Sequence, residues 1–229
     1  MKTWPQYPVI YEINTWVWLD EIKSRHGTST TLAKVPSSEW DAIAQSGVSA
    51  VWLMGVWERS PAGIAIANQN KDLLEEFRRV LPDFRPEDNV GSPYCVRRYE
   101  VDKHLGGRQG LAIARQELAK RGLKLILDFV PNHVAPDHPW VHDHPEYFVQ
   151  GTLDDLKNDP ASFIEAGGKI LACGKDPYFP AWRDVVQLNG FQPGLRHAVI
   201  ETLSDIASQS DGVRCDMAML LMNSVFSRT

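Results

Sequence analysis

Eight consecutive residues constrain the fold of this chain more than any others: Leu123-Lys124-Leu125-Ile126-Leu127-Asp128-Phe129-Val130. The run is almost continuously apolar and too short for a typical helix. It predicts a strand covered on both faces, as strands of parallel sheets are. A helix over 111–121 precedes it, with Leu111, Ala114 and Leu118 on one face and Gly122 beyond its end. The same alternation recurs along the chain. Residues 9–13 and 48–54 read as strands around a helix over 37–44, with Ser37 or Ser38 as N-cap and Gly47 closing it. An amphipathic helix over 195–206 leads to a fourth strand over 212–216. Strand–helix alternation predicts an α/β fold with a parallel sheet.

Other stretches break the pattern. Residues 24–31 are polar and rich in Gly, Ser and Thr. Residues 55–93 read as a long irregular connection holding one amphipathic helix over about 73–80. The segment after His133, rich in Pro, His, Asp and Trp, shows little periodicity. The expected organisation is therefore a barrel-like portion over 1–133 and 190–229, with an irregular subdomain inserted at 134–189.

Composition removes several function classes. With 43% hydrophobic residues and a net charge of -5, the chain is neither disordered throughout nor a carrier of the basic footprint of nucleic-acid binding. No polybasic membrane anchor appears. Three cysteines without a CxxC pair argue against a zinc site or a disulfide scaffold. The first 19 residues are interrupted by Pro5, Pro8, Glu12 and Asn14, and no signal peptide is expected. No stretch approaches the roughly 18 uninterrupted apolar residues of a membrane helix. The expected compartment is the cytoplasm. Neither GxGxxG nor GxxxxGK[ST] occurs where a strand meets a helix, so no nucleotide cofactor is expected. His138, His142 and His144 fit no metal-ligand spacing, and no metal is expected.

Polar residues gather at the C-terminal ends of the expected strands, where parallel barrels build active sites. Asp128 there is either a strand-end cap or a functional carboxylate. Arg214 and Asp216, two apart on a strand, would share a face. That pair is either a structural ion pair or an ionised, oriented carboxylate suited to nucleophilic attack on a glycosidic bond. His133 either satisfies a loop backbone or binds ligand. Tyr94, after Gly91-Ser92-Pro93, either packs or offers an aromatic face to a sugar ring.

Taken together, these residues resemble the α-amylase family of glycoside hydrolases. Asp128-Phe129-Val130-Pro131-Asn132-His133 resembles its first conserved region, D-x-x-x-N-H. Gly212-Val213-Arg214-Cys215-Asp216 resembles its second, G-x-R-x-D. The stretch from Pro93-Tyr94 to Gly106-Gly107 and the motif Val185-Val186-Gln187-Leu188-Asn189 are similar to further family segments. The resemblance implies a (β/α)8 barrel of which the first four βα units are present. It implies retaining chemistry on α-glucans or maltooligosaccharides, by hydrolysis or transfer. Asp216 would be the nucleophile and Arg214 would orient it. Asp128 and His133 would hold the sugar, and Tyr94 would stack beneath it. The pattern departs from the family at Arg98, where an Asp is common, and at Met219 and Leu220, where many members carry Lys-His. Asn132 matches a calcium-binding position, but without that His no calcium site is expected.

The family regions that carry the Glu general acid and a His-Asp pair would lie beyond Thr229. Three expectations follow: a portion of a longer enzyme, a homodimer that completes the barrel, or a non-catalytic carbohydrate-binding or assembly module. In a two-fold dimer, Glu12 on the first strand would stand across the interface in place of the missing acid. A different barrel enzyme that matches the motifs by chance is a further alternative, marked by hydrolysis of a non-glycosidic substrate.

Overall fold

The computed structural model of the protein describes residues 3–27 and 30–229. Thr28 and Ser29 of the polar stretch over 24–31 lie outside these residues, as do Met1 and Lys2 of the N-terminal segment. The first elements are β1 (Ile10–Asn14), α1 (Thr15–His26), α2 (Ser37–Gln45), β2 (Ala50–Met54), β3 (Trp57–Arg59), α3 (Pro61–Ala67), α4 (Lys71–Val80), β4 (Val96–Val101) and α5 (Gly107–Lys120). There follow β5 (Lys124–Phe129), β6 (His133–Val134), α6 (Trp140–Asp143), α7 (Leu153–Asn158), β7 (Phe163–Ala166), β8 (Lys169–Gly174), β9 (Trp182–Gln187), α8 (Pro193–Gln209), β10 (Gly212–Cys215) and α9 (Asn223–Phe226). The chain forms two compact units. The first comprises Met1–Glu58, Tyr99–Phe129 and Glu201–Cys215; the second comprises Arg59–Arg98, Val130–Ile200 and Asp216–Thr229.

The first unit carries the expected parallel sheet, in the order β1-β2-β5-β10. Its registers run from Ile10↔Ala50 through Ala50↔Lys124 to Arg214↔Asp128. Leu125, Ile126 and Leu127 are all buried, so both faces of β5 are covered. Each such side chain contributes about 1.5–3 kcal/mol. Asp211 fixes the sheet to its helix: its carboxylate accepts the Leu125 N–H at 2.9 Å and bonds the Arg115 guanidinium of α5 at 2.6 Å. The fold is α/β with strands in sequence order. The sheet is open, with β1 and β10 at its edges, so no closed barrel is formed by these strands.

Two local expectations change. The polar stretch that starts at Ser24 begins as the last turn of α1. Only Thr15, Leu19 and Ile22 of that helix are buried, and Gly27 ends it at φ 68° with its N–H on the Lys23 carbonyl at 2.8 Å. Helix α2 begins at Ser37, after Pro36, with no side-chain cap. The Ser37 hydroxyl is instead engaged by the Arg121 guanidinium at 2.6 Å, which ties α2 to the end of α5.

The second unit holds regular structure where an irregular insertion was expected. Strands β6, β9, β8 and β7 form an antiparallel sheet in that order. Strands β7 and β8 join through Gly167 and Gly168, both at positive φ (55° and 72°). Two such residues match the twist of a two-residue hairpin turn. Val134, Phe148, Leu171, Val186, Leu188 and Leu195 form its core. The 55–93 stretch contains α4 as expected and also α3, whose first turn is capped by the Ser60 hydroxyl accepting the Gly63 N–H at 2.8 Å. In the apolar tail Leu220 is buried, whereas Met219, Leu221 and Met222 stay exposed. Among the described residues no helix is long and apolar enough to cross a membrane.

Candidate functional site

The expected site residues fall into two constellations, one in each unit. In the first unit Asp128 and Arg214 are register partners on β5 and β10. Asp128 is 2% exposed, and donors converge on its carboxylate. The Trp52 indole N–H reaches Oδ2 at 3.0 Å, the Gly55 N–H reaches the same oxygen at 3.4 Å, and Arg214 reaches Oδ1 at 3.4 Å. The Arg214 guanidinium also lies 4.7 Å from the centre of the Trp52 ring. One tryptophan therefore holds the carboxylate by its edge and the cation by its face. The Asp128 carbonyl accepts the Trp57 indole N–H at 2.8 Å. A buried carboxylate supplied with donors in this way is fixed in direction.

Arg214 was expected to share a strand face with Asp216. The strand ends at Cys215, and Asp216 lies in the following turn. At the next residue, Met217, φ is 47°. Arg214 lies 3.4 Å from the Asp128 carboxylate, and Asp216 belongs to the second unit.

In that second unit Tyr94, His133 and Asp216 come together. They line a cavity of about 350 Å³, along with Trp182, Asp184 and Met217. Asp216 is 7% exposed. His133 opens β6 and is buried; its ring stands edge-on to Trp182, with centroids 5.3 Å apart. Burial lowers its pKa to about 4, against an opposing hydrogen bond to the Tyr94 backbone. The imidazole is therefore neutral near pH 7, suited to hydrogen bonding with hydroxyl groups rather than to countering a charge. Tyr94 is half-buried in a turn, and its N–H is held by the Ser92 hydroxyl at 3.2 Å.

Behind His133, Asn132 and Gln187 satisfy each other. Gln187 Nε2 donates to the Asn132 side-chain and backbone oxygens at 3.0 and 2.9 Å, and Asn132 Nδ2 reaches Gln187 Oε1 at 3.2 Å. The Asn132 side-chain oxygen already has a donor within the protein. Among the described residues no group of three or more His, Cys, Asp or Glu side chains is placed to hold a metal ion. His138 is buried, its pKa lowered to about 3 by burial and then by Arg98 and Arg97. Its ring nitrogen accepts the Trp140 N–H at 3.1 Å, a structural role.

Trp182 and Asp184 line the cavity but carry no signal in the motif-based reading. The available signal was their place directly before Val185-Val186-Gln187-Leu188-Asn189; their spacing gave none, because β9 departs from regular pairing over 183–185.

No protein-family model matches the chain. It is 30% identical over 146 residues to alpha-1,4-glucan:maltose-1-phosphate maltosyltransferase 2 of Streptomyces coelicolor, covering 60% of this chain and 19% of that protein. It is 25% identical over 137 residues to an amino acid transporter heavy chain of Mus musculus, covering 60% of this chain and 16% of that one. The chain thus spans less than a fifth of the length of these curated relatives. In fold it is similar to an α-amylase from Lactobacillus plantarum, with a TM-score of 0.61 and 20% identity, over 93% of this chain and 39% of the other. It is similar to a trehalulose synthase at a TM-score of 0.60 and 18% identity, over 91% and 34%. The chain is related to the α-amylase family, as its sequence resemblance implies.

Proposed function

We propose that this chain contributes the glycosyl-holding part of an enzyme that cleaves or transfers α-glucosidic bonds with retention, with Asp216 as nucleophile. The observation that carries the reading is the meeting of a buried carboxylate, a neutral imidazole and aromatic faces in one sugar-sized cavity. In such chemistry the carboxylate attacks the anomeric carbon, the bond to the leaving oxygen breaks, and a second carboxyl group about 5–5.5 Å from the nucleophile protonates that oxygen. Water or a sugar hydroxyl then releases the glycosyl group. His133 would bind sugar hydroxyls and Tyr94 would stack on the ring. Sugar contact by Asp128 and orientation by Arg214 rest on the family resemblance. The similarity to an α-1,4-glucan maltosyltransferase supports α-1,4-glucans or maltooligosaccharides as substrate.

Release of reducing sugar from maltooligosaccharides, or transfer of a glycosyl unit to an acceptor, tests this reading. Asp216→Asn should abolish any turnover the chain supports. Undiminished turnover by Asp216→Asn would overturn the nucleophile assignment.

A second reading has its own support: the relative named as a transporter heavy chain is not named as an enzyme. On that reading the chain is a carbohydrate-binding or assembly module, including a homodimer that pairs sheet edges. Glucan binding without turnover, or a stable dimer in solution, would favour it.

A further inference from the structure

Resting on the reading above, we propose that Asp184 is a further substrate-binding residue, whose carboxylate accepts hydroxyl hydrogen bonds from the glucosyl unit in the Asp216 cavity. Its position is produced by an irregularity in the sheet. Strand β9 pairs with β8 at Gly174↔Trp182 and then at Cys173↔Val186, so adjacent residues of β8 face residues four apart on β9. The intervening residues 183–185 are extra. Such bulges re-aim side chains, often beside binding sites, and here Asp184 and Val185 both line the cavity.

The bulge is held in place. The Asp184 carbonyl accepts the Cys95 thiol at 3.0 Å. Cys95 directly follows Tyr94, so the aromatic turn is tied to the backbone of the bulge. Burial pushes the Cys95 thiol far above its ordinary pKa, which keeps it a donor. The thiol itself is closely seated, since a Cβ on Gly63 would lie 2.5 Å from its sulfur.

The Asp184 carboxylate, by contrast, has little to hold. Among the described residues no other residue donates a hydrogen bond to it. Burial raises its pKa, which marks a carboxylate withdrawn from water without compensating donors. A group in that condition gains from a ligand that brings donors. A glucosyl unit brings hydroxyl donors on its rim and apolar C–H faces for Tyr94 and Trp182. A cation is a poorer fit, because no cluster of ligating side chains surrounds the carboxylate among the described residues.

The test is calorimetric titration of maltotriose into the chain and into Asp184→Asn and Asp184→Ala, with melting curves confirming that each variant folds. Loss of a charge-assisted acceptor predicts about 10- to 100-fold weaker binding by Asp184→Ala. Asp184→Asn keeps the shape and one acceptor oxygen and should fall between. Wild-type affinity in both folded variants would overturn the Asp184 assignment and leave the α-glucan reading standing. If the wild-type chain binds neither maltotriose nor longer α-glucans, the α-glucan reading fails and the assignment of Asp184 as a glucosyl ligand fails with it. Should Asp184→Ala not fold, Asp184→Asn alone decides, with unchanged affinity counting against the assignment.

Discussion

Gly174→Ala perturbs the cavity wall from behind. Gly174 ends β8 and does not occupy the left-handed region, so an alanine there meets no backbone penalty. The added Cβ would lie 2.7 Å from Val185 Cγ2, 3.1 Å from His133 Cβ and 3.3 Å from His133 Cγ. Both neighbours are buried and line the cavity, so neither gives way freely. Overpacking of this kind costs about 1–3 kcal/mol. Replacing Gly by Ala otherwise stabilises by about 0.4–1 kcal/mol through the unfolded chain. The net expectation is a loss of about 1–2 kcal/mol. For a chain of this length that lowers Tm by roughly 2–8 °C. Scanning calorimetry reads the shift, and maltotriose titration reads the displacement of His133 and Val185 as weaker binding. A rise in Tm would show that the unfolded-state gain outweighs any contact, and the packing reasoning would be refuted.

Two further outcomes follow from the geometry. His133 and His138 are held neutral, with pKa values near 4 and 3 against 6.5 in the unfolded chain. The unfolded state therefore binds more protons below about pH 6.5. Stability is fully present above that pH and falls as acid is added toward pH 4, by roughly 3 kcal/mol for His133 and a similar amount for His138. Urea titrations from pH 7 to 4.5 measure this slope, and His138→Gln should flatten it; an unchanged slope would count against a buried neutral ring. Trp52→Phe removes the indole donor from Asp128 while leaving a ring beneath Arg214. A loss of about 1.5–3 kcal/mol is expected from the urea midpoint, and no loss would show that Asp128 needs no donor there.

The parallel sheet was legible because burial on both faces leaves a mark in sequence: the unbroken run around Leu125 and Leu127 permits few alternatives. Helix α1 was not legible, because Trp16, Val17 and Trp18 stand side by side around its circumference. Apolarity there does not form a stripe, and the buried set Thr15, Leu19 and Ile22 includes a polar residue. The antiparallel sheet was hidden for another reason. Its strands are short, and β9 breaks alternation at its bulge, so periodicity fails where pairing succeeds. The Gly167-Gly168 pair announces its hairpin through turn chemistry, a signal independent of periodicity. At the site, Tyr94, His133 and Asp216 were named from motifs, and the structure brings these three together in one cavity. Asp184 escaped because its meaning depends on what does not surround it, and a sequence does not list missing partners.

Met217, at φ 47° and ψ 36°, is the one non-glycine at positive φ among the described residues, and it follows Asp216 directly. A side chain in that conformation costs of order 1–2 kcal/mol, which glycine would not incur and asparagine would partly avoid. Such a conformation persists only where the surrounding structure over-determines it, so the turn that carries Asp216 is specified by its packing rather than by local preference.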